Sequence, residues 1–84
     1  MFIETMDGRT LGDFPRGRNG NNAMFETIME SGEKVVAITY KYEEYTTLLS
    51  AYDSLKNAAK LRKVPLAVTR NFGKLYFVRT DMKQ

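Results

Sequence analysis

The chain has 84 residues, 43% apolar and 27% charged, with a formal net charge of +3. That length bounds it to one small domain with a modest core, and no apolar run reaches the roughly 18 residues that a membrane span needs. Cysteine and histidine are both absent, which removes disulfides, thiolate nucleophiles, the usual zinc sites and the commonest general base. No catalytic residue, metal site or cofactor is expected, and the protein is not read as an enzyme.

The opening Met1-Phe2-Ile3-Glu4 lacks the basic region and apolar stretch of a secretory signal, so a cytoplasmic protein is expected. Phe2 to Met6 reads as a short strand. Asp7-Gly8 is a turn signal, and Arg9-Thr10-Leu11 can return as a second strand. Residues 12–22 hold Gly12, Pro15, Gly17, Gly20 and three asparagines, a composition that predicts a long flexible loop. Asn22 is expected to cap a short helix running to about Glu30, with Phe25, Ile28 and Met29 on one side. Ser31-Gly32 would end it. Val35 to Tyr40 is the clearest strand by its β-branched content and is expected to be central.

A long helix is expected over about residues 46–63, capped by Thr46 or Thr47 and carrying Leu48, Ala51 or Tyr52, Leu55, Ala58 and Ala59 as its apolar stripe. Pro65 forbids its continuation. Leu66–Arg70 and Leu75–Arg79 then read as strands joined by Asn71-Phe72-Gly73-Lys74, with Gly73 at positive φ. The order predicts one α+β domain over residues 1–84: a long helix packed on a mostly antiparallel sheet, a short N-terminal helix and a C-terminal β-hairpin. A parallel crossover between residues 35 and 70 stays open.

Charge is unevenly distributed. Residues 1–55 carry five basic and nine acidic side chains, whereas residues 56–84 carry eight basic and one acidic. A basic C-terminal third suits an anionic partner, although the same charges also make an ordinary solvated surface. Lys56, Lys60 and Lys63 are spaced to share one helix ridge, begun by Asp53, and could neutralise phosphates. Arg70, Phe72 and Lys74 interleave aromatic and basic groups, a mixture that can stack on bases and contact the backbone. Tyr40, Tyr42 and Tyr45 cluster where a protein interface could lie.

Pro15-Arg16-Gly17-Arg18 resembles the core of an AT-hook, with Asn19 where a proline usually follows the second arginine. Two arginines flanking a glycine can enter a narrow A·T-rich minor groove, where the negative potential draws arginine in. End to end, the chain resembles small uncharacterised phage-encoded proteins with an Arg-Gly-Arg loop. The likeness is carried by Arg16-Gly17-Arg18, Met29-Glu30-Ser31-Gly32-Glu33, Ser50-Ala51-Tyr52, Asn57-Ala58-Ala59-Lys60 and Leu75-Tyr76-Phe77-Val78-Arg79. The group usually has Tyr-Pro-Phe-like residues after the basic loop, and Ala23-Met24-Phe25 keeps only the aromatic. The resemblance implies a phage accessory protein acting in a bacterial host's cytoplasm and transfers no catalytic residue. The expected function is binding of nucleic acid, DNA first, through Arg16, Gly17, Arg18, Lys56, Lys60, Lys63, Arg70, Phe72 and Lys74. The alternative is an interaction module that inhibits or redirects a host enzyme, such as RNA polymerase or a defence nuclease, through Tyr40, Tyr42 and Tyr45.

Overall fold

A computed structural model describes residues 1–41, 43 and 45–82. Five strands and two helices follow in the order β1 (Phe2–Thr5), β2 (Thr10–Asp13), α1 (Arg18–Ser31), β3 (Val35–Thr39), α2 (Leu48–Leu61), β4 (Leu66–Asn71) and β5 (Lys74–Arg79). The sheet order is β2-β1-β3-β5-β4, and every neighbouring pair is antiparallel. The crossover left open by the sequence is present in a split form. α2 joins β3 to β4, which run the same way but are separated by β5. In the same manner α1 joins β2 to β3 around β1. Both crossovers advance in one direction across the sheet. The right-handed rule for such connections then puts both helices on the same face.

Strand alternation follows from that covering. Ile3, Val36, Ile38, Leu75, Phe77, Leu66 and Val68 are buried on the helix face, where α1 and α2 add Met24, Phe25, Ile28, Ala51, Leu55 and Ala59. Phe25 meets Phe77 edge-on, with centroids 5.6 Å apart. Glu4, Ala37, Tyr76 and Val78 lie on the uncovered face and are half-buried. Leu48, expected in the core, packs on its margin.

The helices correct the sequence reading. They are equal in length, 14 residues each, so there is no single long helix beside a short one. α1 begins at Arg18 rather than Asn22, and β2 reaches Asp13, so the expected loop over 12–22 shrinks to the residues between them. Gly17 stands at the cap with φ 123° and makes no side-chain cap bond. The Asn21 N–H donates to the Gly17 carbonyl at 2.8 Å, closing the first turn. Gly20 lies against the Pro15 carbonyl, where a side chain has no room. Gly32 ends α1 in the left-handed conformation, as the sequence suggested.

α2 is capped by Thr47, whose hydroxyl accepts from the Ser50 N–H at 3.1 Å. It ends with Val64 N–H donating to the Ala59 carbonyl and Lys63 N–H to the Lys60 carbonyl, each at 3.2 Å. This is the Schellman pattern, with Lys63 (φ 55°) holding the position where glycine is usual.

Candidate nucleic-acid interface

The helix-facing parity of β4 decides which basic groups meet. Arg70 shares that parity with Leu66 and Val68, so its side chain leans toward α2. Its guanidinium carbon lies 4.9 Å from the centroid of the Tyr52 ring. Lys56, one turn after Tyr52 in α2, places Nζ 5.8 Å from the same centroid. Tyr52 therefore acts as a platform for two cations from different elements. Between α2 and β4 runs a groove of about 380 Å³, lined by Tyr52, Lys56, Lys60 and Lys63 above a floor that includes Ala59 and Leu66. Among the described residues no carboxylate lines it. Lysine stems can cover such an apolar floor while their ammonium groups stay in water.

The other expected residues separate into three groups. Arg18 is the first residue of α1 and lies beside Leu61 and Arg62, at the end of α2 that also bears Lys60 and Lys63. Phe72 is 98% exposed at the β4–β5 turn, and Lys74 is exposed directly after that turn. Arg16 lies apart, its guanidinium carbon 4.9 Å from the Tyr45 ring centroid, and Gly17 serves as the α1 cap. Arg16-Gly17-Arg18 is therefore not an extended arm. Arg18 is helical and Arg16 rests on an aromatic ring, so the AT-hook conformation is absent from this structure.

The tyrosine cluster is corrected in part. Tyr45 is 4% exposed and belongs to the core. Its hydroxyl is 3.3 Å from Ser54 Oγ, and Tyr40 packs edge-on against its ring with centroids 5.8 Å apart. A side chain so placed offers little area to a partner. Tyr42 lies outside the described residues.

Two participants were not anticipated. Tyr52 belongs to the apolar stripe by its spacing, and its separation of four residues from Lys56 is the signal of their contact. Arg62, at the α2 C-cap, lies between the helices over Phe25, 5.8 Å from its ring centroid. It donates to Asn22 Oδ1, to the Ala58 carbonyl at 3.1 Å and to the Arg18 carbonyl at 3.4 Å. Other arginines are taken up elsewhere. Arg79 pairs with Asp81 through two bonds of 2.9 Å, which hold the Asp81 carboxyl below its usual range. Arg9 pairs with Glu33 at 2.7 Å and Asp7 at 3.3 Å, on the far side of the sheet order from β4. Among the described residues no group of three or more Asp or Glu side chains could hold a metal ion, and no helix is long and apolar enough to cross a membrane.

Compared with protein-family models, curated proteins and solved structures, the chain matches none.

Proposed function

We propose that this protein binds nucleic acid, DNA first, through the face formed by α2 and the β4–β5 hairpin. The observation that carries this reading is the groove lined by Tyr52, Lys56, Lys60 and Lys63 with no carboxylate among its lining residues, next to which Arg70 shares the Tyr52 ring with Lys56. Cations so gathered neutralise successive phosphates and release counterions, which gives affinity without base reading. Arg18 and Lys74 extend the face at its two ends. The resemblance to small phage-encoded proteins supplies the setting, an accessory protein in a host's cytoplasm. Because Arg16 and Arg18 do not form an extended arm, preference for A·T-rich sequence is not expected. Fluorescence anisotropy with A·T-rich and G·C-rich duplexes at several salt concentrations tests this. The expected result is equal affinity for both and a steep fall with salt. Replacing Lys56, Lys60 and Lys63 together by alanine should flatten the salt slope by about 0.9 for each phosphate that is no longer neutralised. No binding of these duplexes or of a single-stranded oligonucleotide at low salt would overturn the proposal.

One observation favours the second reading. β4 is an edge strand, and the groove runs beside it. An extended acidic segment of a host protein could add to that edge by strand pairing, with its carboxylates meeting the lysines. A lysate pull-down that retains a host protein after nuclease treatment, together with absent binding of both duplex and single strand, would favour this module over DNA.

A further inference from the structure

The β4–β5 turn carries a side chain that folding does not explain. Asn71 pairs with Lys74, leaving Phe72 and Gly73 as a two-residue loop. Their φ angles are 50° and 75°, the positive pair that a type I′ turn requires and that Asn-Gly fills most readily. A phenylalanine in this position accepts left-handed strain, and strain of this kind is a mark of functional positions. It gains no burial in return, being 98% exposed. A flat apolar ring is thus held out on a rigid two-strand support. The chemistry around it is one-sided, because Arg70 and Lys74 flank the turn and residues 66–79 contain no acidic residue. A ring beside cations suits a partner with exposed aromatic faces on an anionic backbone. A fully paired duplex hides its base faces, whereas a single strand presents them.

We infer that Phe72 stacks on an unpaired nucleobase while the neighbouring cations hold the phosphates, so that the protein prefers single-stranded DNA to paired duplex. This rests on the nucleic-acid reading above and names the form of nucleic acid that it takes. Three proteins test it by fluorescence anisotropy against a single-stranded oligonucleotide and a blunt duplex: wild type, Phe72→Asn and Phe72→Trp. Asparagine tolerates the left-handed turn, so Phe72→Asn should melt at a higher temperature than wild type. It should nonetheless lose about tenfold or more in single-strand affinity and keep its duplex affinity. The chain has no tryptophan, so Phe72→Trp introduces a lone reporter at the tip. Its emission should be quenched by the oligonucleotide and not by inorganic polyphosphate, which has charge without bases. If wild type binds DNA but Phe72→Asn keeps full single-strand affinity and the tryptophan is not quenched, the stacking role is wrong and the phosphate-binding face stands. If wild type binds neither probe at low salt, both proposals fail.

Discussion

A methyl group on Gly20 would lie 1.8 Å from the Pro15 carbonyl oxygen and 2.8 Å from its carbon. The clash is with backbone, so a side-chain rotation cannot relieve it. Alanine is the better helix former by about 1 kcal/mol, and by propensity Gly20→Ala should stabilise α1. Packing reverses the sign. Overfilled sites typically cost about 1–3 kcal/mol, and here residues 14–17 must lift from the helix start. Gly20→Ala is therefore expected to lower stability by about 2 kcal/mol in a urea melt. A gain of stability would show that the Pro15 approach is loose. This residue also explains why the start of α1 was not legible. Asn19-Gly20-Asn21-Asn22 has a loop's composition, and Gly17 gives none of the side-chain signal by which Ser, Thr or Asp announces a helix. What closes the helix start is backbone contact with no signature in side-chain propensity: the Asn21 N–H on the Gly17 carbonyl, and Gly20 against Pro15.

The start of α2, by contrast, was legible because local chemistry sets it. Thr47, one of the two expected threonines, caps the start, whereas the helix spans Leu48–Leu61 instead of the expected 46–63 and closes before Pro65 is reached. Between them, the helix terminates on Lys63 in a conformation that strains any side chain. Glycine there avoids a left-handed penalty of about 1–2 kcal/mol, so Lys63→Gly is expected to raise stability by about 1 kcal/mol. It should also weaken duplex binding and lower the salt slope, since it removes a cation that lines the groove. Urea denaturation and a salt titration on the same variant read the two effects separately. A stabilised variant with unchanged affinity would exclude Lys63 from the interface. The lysine spacing along α2 was visible in the sequence. The approach of Arg70 to Tyr52 was not, because it depends on which parity of β4 faces the helices, and that is fixed by the whole sheet.

At the scale of the molecule, the two split crossovers advance from β2 through β3 to β4 and leave the basic C-terminal third at one end of the sheet order. The α+β class, the antiparallel hairpin and most of the core were readable from alternation and helical spacing. The interleaving of β1 and β5 between parallel partners was not, because pairing between distant strands has no local signature. The resulting layout gathers Lys56, Lys60, Lys63 and Arg70 beside β4, while Glu33 and Asp7 cluster around Arg9 on the other side. A titration of isotopically labelled protein with short single-stranded and duplex DNA, followed through backbone amide shifts, tests this layout most directly. The expected result is a set of perturbations confined to α2 from Tyr52 onward, Lys63, Arg70, the turn at Phe72–Gly73 with Lys74, and Arg18, fading as salt is raised. Perturbations centred on the uncovered sheet face around Ala37 and Tyr76, or none at low salt, would contradict a nucleic-acid interface on α2 and the hairpin.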